Sequence, residues 1–459
     1  MKKGQKKRNV TFSTTRMIAL GFLAAILIGT FLLSLPIATR DHSVTPFLDA
    51  LFTATTSTCV TGLSTVVMVE QWSLFGQIVI LFLIQFGGLG IVTFTTTILL
   101  LLGKRISLRD RLLIQEAYNL DTLQGLVQIT LRVMKGTFLV EGIGAALYCI
   151  EFVPRFGAVK GIWYGVFHAV SAFCNAGIDL LGADSLVAYR GNVLINFITM
   201  ALIVLGGLGF PVWWDLLGNF KEFLKRRKRR ERFRLHLSLQ SKIVLSATAV
   251  LIVAGMVLTL WMEYDNPATL KNLPFGEKLM ASLFQSVTLR TAGFATIPQQ
   301  DFREGSCVLY LVLMFIGGSP SGTAGGIKTV TTVLLVASVV TTIRGSSETE
   351  LFKRRIAENY LKKAMAVMGV SLMALLVLTT LLLNVQGGDF LDCFYEMTSA
   401  VATVGLTRNF TGTLKAAGKL IVILGMYLGR IGPITMMLAV NPKNIGKKMS
   451  YPTGKILVG

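Results

Sequence analysis

The chain has 459 residues, of which 53% are hydrophobic and only 15% charged, and its formal net charge is +21. A soluble protein of this size could not cover so much apolar surface, since its exterior would need far more charged residues. The composition therefore indicates an integral membrane protein. Three scattered histidines and five cysteines without paired spacing indicate neither a zinc site, a disulfide framework nor a catalytic centre, so we expect no enzymatic activity.

The positive charge is concentrated in segments that separate pairs of apolar stretches. Five segments hold 32 of the 45 lysines and arginines: 1–16, 103–135, 218–242, 344–363 and 443–459. Because cytoplasmic loops of membrane proteins are enriched in basic residues, these segments and both termini are predicted to be cytoplasmic. The basic run at 225–230 could bind nucleic acid, but the membrane context favours a loop that faces anionic lipid or a protein partner.

The apolar segments follow one order four times: a long helix, a shorter helix and a second long helix. We predict them at 17–36, 46–57 and 73–102, then at 133–152, 161–172 and 192–218, then at 241–262, 276–287 and 306–343, and finally at 364–384, 389–400 and 416–440. With their preceding loops they divide the chain into an N-terminal tail (1–16), four repeats (17–102, 103–218, 219–343 and 344–440) and a C-terminal tail (441–459).

The long segments match the ~20 residues needed to cross a hydrocarbon core ~30 Å thick, whereas the short segments are too short and fit re-entrant helices. Two crossings per repeat leave all four repeats in the same orientation, and parallel repeats arrange around an axis along the membrane normal. The predicted fold is therefore an all-α integral membrane protein of four parallel helix–pore-helix–helix repeats. Its eight transmembrane helices and four re-entrant pore helices would surround one pore with pseudo-fourfold symmetry.

Each short helix runs into a polar stretch that ends in a glycine and a bulky apolar residue. The four glycines are 115, 116 and 112 residues apart. Non-helical backbone at membrane depth must be packed in protein or line a water-filled cavity, so these stretches should lie on the pore axis. The predicted filter residues are Val60, Thr61, Gly62, Asn175, Ala176, Gly177, Thr291, Ala292, Gly293, Thr403, Val404 and Gly405.

A ring of backbone carbonyls can replace the hydration shell of K+, and glycine permits the dihedral angles that turn such carbonyls inward. The negative C-terminal end of each short helix would further favour a cation there. A single Thr-x-Gly could be an ordinary helix C-cap. Four copies at matched spacing, all without an acidic residue, favour a filter, with K+ there as the only metal expected.

A second glycine-rich stretch interrupts the last helix of repeat three, and weaker breaks occur at 87–90, 206–209 and 429–433. It comprises Gly317, Gly318, Ser319, Pro320, Ser321, Gly322, Thr323, Ala324, Gly325 and Gly326. Five glycines and a proline cannot continue a helix. We predict a flexible loop that gates conduction, with a packing kink as the alternative. Ile327 separates the glycines from Lys328 and Thr329, so a phosphate-binding loop is excluded.

Lys328 and Arg430 are ionisable residues inside predicted membrane segments, where such residues usually face the protein interior and mark functional sites. Each could hold the gate by donating to backbone carbonyls or add a positive barrier beside the cation path. Snorkelling to the membrane edge is the alternative, and it is weaker for Arg430. We expect Arg290 to brace its filter stretch from behind and His168 to pack or hydrogen-bond locally.

The filter stretches, GGSPSGTAGGIK at 317–328 and LGRIGP at 428–433 together resemble the potassium-translocating membrane subunit of the Ktr/Trk superfamily, most closely its bacterial Ktr type. The resemblance covers nearly the whole chain. It implies a potassium uptake protein of the bacterial cytoplasmic membrane that forms homodimers and has no cofactor of its own. It also implies regulation by a cytosolic ring that binds ATP or ADP. Each stretch has one glycine, where potassium channels have the two-glycine TVGYG signature, which predicts a lower selectivity for K+ over Na+.

A secondary transporter for a small solute is the rival hypothesis. Such a protein would have discontinuous helices in two symmetry-related halves and charged substrate ligands at the membrane midplane. Four equivalent, neutral stretches instead favour a passive cation pathway. The membrane potential alone, worth ~2.3 kcal/mol per charge per 100 mV, would then drive uptake.

Overall fold

Each repeat folds as a long helix, a short helix and a second helix that breaks at a glycine. The architecture comes from a computed structural model that describes residues 14–90, 93–94, 96, 126–229, 235–346 and 348–432. The predicted tails lie almost wholly outside these residues, as does most of the basic loop 103–135.

Repeat one contains α1 (Thr14–Leu33), the short helix α2 (Phe47–Cys59), a single turn α3 (Met68–Gln71) and α4 (Leu74–Leu89). Ser73 caps α4, since its hydroxyl accepts a hydrogen bond from the Gly76 amide at 3.3 Å. Glycine at the C-terminal end of α4 takes φ +81°, a left-handed value that ends the helix.

Repeat two contains α5 (Leu126–Phe156), the short helix α6 (Ala158–Phe173), α7 (Val193–Leu208) and α8 (Phe210–Lys228). The axes of α7 and α8 differ by 101°. Gly209, with φ +85°, forms this elbow.

Repeat three contains α9 (Leu239–Glu263), the short helix α10 (Phe275–Thr288), α11 (Glu304–Phe315) and α12 (Thr329–Ile343). The segment between α11 and α12, residues 316–328, is non-helical. We call it the intramembrane loop.

Repeat four begins with a hairpin of two short antiparallel strands, β1 (Glu350–Leu351) and β2 (Arg354–Arg355). It continues with α13 (Glu358–Gln386), the short helix α14 (Phe390–Ala402) and α15 (Ala416–Ile431). Single 3-10 turns at Pro36–Ala38, Val187–Tyr189, Gln299–Asp301 and Thr411–Thr413 complete the regular structure of the described residues.

The predicted all-α fold of repeated helices is confirmed, with a correction to the second helix of each repeat. Within the described ranges, only α1, α5, α9 and α13 are long and apolar enough to cross a membrane alone; α7 and α8 reach this length only if the two helices are counted together across their bend. The prediction of one continuous helix at 192–218 is wrong, because the chain turns at Gly209 and then continues to Lys228. Glycine at positive φ cannot propagate a helix, so the weak points in the sequence became actual breaks.

The repeats join in a closed cyclic order. The second helix of each repeat contacts the short helix of the next: α4 with α6, α7 with α10, α11 with α14, and α15 with α2. The last pair connects repeat four back to repeat one. This arrangement places the C-terminal ends of the four short helices around a common centre.

Candidate functional site: a ring of four glycines and the loop beside it

All four short helices end in the same backbone conformation. Two residues before each glycine, the chain enters the left-handed region that non-glycine residues rarely adopt. These residues are Val60, Asn175, Thr291 and Thr403, with φ of 55°, 59°, 65° and 52°. The same unusual angle at four equivalent positions indicates that the surrounding packing imposes it.

The four glycines Gly62, Gly177, Gly293 and Gly405 also have positive φ, of 104°, 65°, 82° and 94°. Together we call them the glycine ring. A β-carbon would lie 2.6 Å from Ala176 O at Gly62, 2.7 Å from Ala292 O at Gly177 and 2.7 Å from Val404 O at Gly293, and at Gly405 it would overlap Thr61 O. Each glycine therefore faces the carbonyl that precedes the glycine of the next repeat, and the ring closes in the order one to four. No residue with a side chain fits these positions.

Hydroxyl groups on the short helices tie these stretches back to their own repeats. The amides of Gly62 and Gly405 donate to Thr56 Oγ1 and Ser399 Oγ, each at 3.0 Å. In repeats two and three the bonds reach the residue after the glycine. Ser171 Oγ donates to Ile178 O at 2.6 Å, and Thr288 Oγ1 donates to Phe294 O at 2.6 Å. We did not predict these four hydroxyl residues individually, although serine or threonine five or six residues before each glycine was a usable signal.

A cavity of about 530 Å³ opens on one side of the glycine ring, and all four glycines line it. Asp179 and Asp184 also line it, and the described lining residues include no lysine or arginine. Asp179 lies in the loop after the glycine ring, outside the membrane spans. Burial raises the pKa of the Asp179 carboxyl to about 6, although hydrogen bonds from the Leu181 amide and the Ser185 hydroxyl oppose the shift. The cavity is therefore negatively charged at neutral pH.

A second cavity, of about 400 Å³, lies at the level where the second helices break. Residues from all four breaks line it: Gly87, Gly88 and Gly90; Phe210; Pro320 to Gly322 and Ala324 to Gly326; and Gly429, Arg430 and Gly432. Ala402, at the end of α14, also lines this cavity but not the first one. The predicted filter stretches, which end in the glycine ring, therefore separate the two cavities.

The intramembrane loop is closed at its base by backbone hydrogen bonds. The Gly317 amide donates to Ile327 O at 2.9 Å, and the Ile327 amide donates to Phe315 O at 3.1 Å. The Thr329 amide donates to Gly318 O at 2.9 Å. The loop is thus an ordered structure between α11 and α12 and differs from a simple kink.

The tip of the loop contacts the predicted filter stretches of repeats two, three and four. Thr323 Oγ1 donates to Phe173 O at 2.9 Å and lies 3.3 Å from Asn175 Oδ1. The Gly325 amide donates to Thr291 Oγ1 at 3.2 Å, and its α-carbon is so close to Thr403 that a β-carbon would overlap the threonine hydroxyl. The loop therefore lies directly against the residues that enter the glycine ring.

The loop also bonds to the elbow between α7 and α8. The Ser319 amide donates to Gly207 O at 2.9 Å, and the Thr323 amide donates to Gly206 O at 3.1 Å. In return, the Phe210 amide donates to Ser321 O at 3.1 Å. These bonds connect the loop to the first residue of α8.

Arg430 and Lys328 both donate to backbone carbonyls, but they connect different parts. Arg430 Nη1 donates to Thr323 O at 2.7 Å, while its Nη2 donates to Gly87 O and, at 3.3 Å, to Gly88 O. It thereby joins the loop to the helix break of repeat one. Lys328 Nζ donates to Ala324 O at 2.6 Å, which joins the loop only to itself.

Arg290 and His168 lie close to the predicted filter stretches of their repeats. Arg290 is buried, and within the described part of the chain its Nε and one Nη have no hydrogen-bond partner. Its carbonyl accepts a bond from Asn175 Nδ2 at 3.4 Å, so its backbone joins repeats two and three. His168 bonds locally, as predicted: its Nδ1 contacts Tyr164 O at 2.7 Å, and its Nε2 accepts from the Leu180 amide at 3.4 Å.

No group of three or more histidine, cysteine, aspartate or glutamate side chains suited to hold a metal ion occurs in the part of the chain that the structure describes. The polar groups around the glycine ring are carbonyls, amides and hydroxyls. Such neutral oxygens suit a weakly held monovalent cation better than a resident transition metal.

Comparisons with known proteins identify the family of the chain. Residues 6–447 match the model of the TrkH family, described as cation transport protein. The chain is 39% identical to Ktr system potassium uptake protein B of Bacillus subtilis, over 98% of both chains. It is 38% identical to the potassium/sodium uptake protein NtpJ of Enterococcus hirae, over 100% of this chain and 99% of that one.

A solved structure also has the same fold. The crystal structure of the potassium transporter TrkH from Vibrio parahaemolyticus aligns with a TM-score of 0.71 and 16% identity, over 96% of this chain and 87% of that one. The prediction of a multi-pass membrane protein without enzymatic function is confirmed by these matches. The chain belongs to the TrkH family of cation transport proteins.

Proposed function

We propose that the chain is a potassium uptake protein whose glycine ring is the cation filter. The observation that carries the proposal is the closed ring of four glycines between two cavities. Loss of its hydration shell costs a bare cation tens of kcal/mol in a low-dielectric medium, so a pore must supply replacement oxygens. Carbonyls of the twelve predicted filter residues would supply them, and the C-terminal ends of four short helices add negative potential.

The intramembrane loop is the gate in this proposal. It lies against three of the four filter stretches and lines the second cavity, of about 400 Å³, so a cation leaving the glycine ring would meet it. Arg430 would bias it towards the closed position, because its bonds join the loop to repeat one. Each charge-assisted bond of this kind contributes roughly 1.5–3 kcal/mol.

Partners follow from the resemblance to Ktr proteins rather than from contacts in this chain. The proposal includes a homodimer in the bacterial cytoplasmic membrane, with both termini in the cytoplasm. It also includes a cytosolic ring that binds ATP or ADP and docks on the basic face at 103–124, 221–238 and the tail after Asn441. Among these segments the structure describes only 221–229 and 235–238.

Transport against a gradient through a rocking mechanism is less well supported. The helix breaks occur in all four repeats, whereas a rocking transporter would concentrate them in two related halves. The ring stretches also offer no charged ligand for a solute. A passive pathway driven by the membrane potential fits both observations.

The test is growth of a potassium-uptake-deficient bacterial strain at low K+, with and without a co-expressed nucleotide-binding subunit. One relative is named a potassium uptake protein and the other a potassium/sodium uptake protein. The uptake of 86Rb+ by purified protein in liposomes should therefore be measured in competition with K+ and with Na+. We expect rescue that is stronger with the subunit, and competition by K+ at lower concentration than by Na+. Absence of both rescue and uptake would contradict the proposal.

A further inference from the structure

Helix α8 runs nearly parallel to the membrane. It leaves α7 at 101° after the elbow at Gly209. Membrane-spanning helices are tilted by about 20° on average, so a helix at this angle to α7 lies within about 30° of the membrane plane. Its 19 residues extend for about 28 Å along that plane.

The middle of α8 lies at the depth where α9 enters the membrane. Asp215 Oδ2 accepts a bond from the Ser238 amide at 2.9 Å, and Asn219 exchanges two bonds of 3.0 Å with the backbone of His236. Ser238 caps α9, whose 25 residues are long enough to cross the whole bilayer. One face of α8 is therefore fixed to the membrane surface at the start of a span.

Another face of α8 exposes a stripe of large apolar side chains. Leu217, Phe220 and Leu224 are 44%, 57% and 47% exposed. They are three and four residues apart, which places them on one side of a helix. Leu216 and Phe223 extend the same stripe. An apolar stripe of this size at the membrane surface is unfavourable in water and favourable among acyl chains.

The second half of α8 is strongly basic. Residues 221–229 include Glu222 and six basic side chains: Lys221, Lys225, Arg226, Arg227, Lys228 and Arg229. Glu222 pairs with Arg226 at 2.6 Å. With six basic side chains and one glutamate, residues 221–229 carry a formal charge of +5, and this charge lies beside the apolar stripe.

We propose that α8 is an interfacial helix that binds anionic phospholipid of the cytoplasmic leaflet. Its apolar stripe enters the acyl region, and its basic side chains bind the headgroup phosphates. Orientation along the membrane plane, depth at the start of α9 and the combination of stripe and charge all fit a lipid surface. For residues 221–229 this lipid surface replaces the cytosolic ring as the occupant, because a soluble ring would bind the charges but leave the apolar stripe unbound. The ring would keep 103–124, 235–238 and the tail after Asn441 as its docking surface.

Docking of α8 also constrains the intramembrane loop. The Phe210 amide, at the start of α8, bonds to Ser321 O, and the elbow carbonyls of Gly206 and Gly207 accept from the loop. A helix that is fixed on the lipid surface holds this elbow in place, so the lipid would stabilise the observed loop position. This coupling rests on the same elbow geometry and not on the identity of the transported ion.

The test compares amide hydrogen exchange of the full-length protein in nanodiscs of phosphatidylcholine alone and with roughly one-quarter phosphatidylglycerol. We expect slower exchange at 217–228 when phosphatidylglycerol is present, and loss of the difference at high salt. The amides of Ser319 and Thr323 should slow together with α8. A lysine or arginine near an anionic surface contributes roughly a fivefold preference, so K225Q/R227Q/K228Q should weaken docking by about 100-fold.

A matched control removes the same charge from another basic segment. Lys353, Arg354 and Lys363 are exposed in the cluster at 344–363, and K353Q/R354Q/K363Q should keep the phosphatidylglycerol effect. Wild-type exchange that is the same in both lipids would overturn the lipid site without depending on any variant. The lipid site would also be overturned if α8 were protected from exchange only when the cytosolic ring is present, regardless of the lipid charge. Slower exchange at 217–228 without any change at Ser319 and Thr323 would overturn the coupling to the loop.

Discussion

The glycine ring and the level of the helix breaks differ in symmetry. At the ring, all four repeats use the same backbone angles, and each glycine faces the next repeat in the same way. At the breaks, repeats one, two and four each turn at one glycine with φ of 81° to 89°, whereas repeat three inserts a loop of thirteen residues, 316–328. Repetition is kept at one level and abandoned at the other.

The contrast indicates a division of labour between the two levels. A site that surrounds a spherical ion needs equivalent oxygens from every side, so symmetry is favourable there. A gate needs one element that can move while the others stay fixed, which symmetry would hinder. Direct bonds from Thr323 and Gly325 to the filter stretches join the two levels, so they are separate in role but in contact.

The largest expected effect is at the glycine ring. Gly405→Ser should reduce 86Rb+ uptake in liposomes at least tenfold, because left-handed backbone costs a non-glycine residue ~1–2 kcal/mol and the side chain would overlap Thr61 O. By symmetry, Gly293→Ser should have a similar effect and weaken discrimination against Na+. Gly276→Ser is the matched control, since no described atom lies within 4 Å of a β-carbon there and Gly276 lines neither cavity. Similar uptake in all three variants would mean that the ring is not the filter.

Loss of the Arg430 bonds should have the next largest effect. Arg430→Gln would remove the bonds between the loop and repeat one, and we expect roughly tenfold less dependence of flux on the cytosolic ring. Lys328→Gln should do less, because Lys328 bonds only within the loop. The measurement is maximal 86Rb+ flux at equal protein abundance, with and without the cytosolic ring. An equal effect of both substitutions would contradict the role given to repeat one.

A smaller effect is expected where the intramembrane loop contacts the filter stretches of the glycine ring. Thr291→Val removes the acceptor of the Gly325 amide, and one such bond contributes about 0.5–1.5 kcal/mol, roughly a two- to twelvefold change in the gating equilibrium. The buried Thr403 hydroxyl has no hydrogen-bond partner among the residues that the structure describes, so Thr403→Val should change flux little. Valine fits this position, since Val60 occupies it in repeat one. Equal responses of the two variants would show that the Gly325 bond does not connect gate and filter.

The smallest effect concerns Asp179 in the cavity of about 530 Å³ beside the glycine ring. Its pKa of about 6 lies above the ordinary value of 3.8, so its negative charge is present at pH 7.5 and is lost as the pH of the solution that fills this cavity falls through 6. Apparent cation affinity should therefore fall by about twofold between pH 7.5 and 5, as expected for one charge about 10 Å away in water. Asp179→Asn should remove this pH dependence, whereas Asp184→Asn should retain it. A pH profile that Asp179→Asn leaves unchanged would assign the titration elsewhere.

The sequence predicted the parts of the site that depend on one residue type. Glycine is required where φ is positive and a carbonyl lies against the α-carbon, so the spacing of Gly62, Gly177, Gly293 and Gly405 identified the candidate ring. It did not predict the left-handed angles of Val60 or Thr291, because these residues do not favour them and only the closed packing imposes them. The roles of the filter and gate residues stay predictions until the variants are measured.

The sequence also could not predict geometry that the backbone leaves free. Glycine at Gly209 predicted a weak point, but the angle of 101° depends on the bonds between the elbow and the intramembrane loop. Likewise, the charge of Arg430 predicted an interior position, whereas its partners Thr323 O and Gly87 O belong to two other repeats. Long-range partners of this kind follow from the folded arrangement and not from local pattern.

The most direct test of the division between ring and loop measures two properties in one preparation, Na+ competition against 86Rb+ uptake and dependence on the cytosolic ring. Gly293→Ser should weaken the discrimination against Na+ and leave the response to the cytosolic ring unchanged in direction. Arg430→Gln should reduce the response to the cytosolic ring and leave the ratio of K+ to Na+ competition close to that of the wild type. If instead both variants changed selectivity and regulation together, a single site would perform both roles and the division would be wrong.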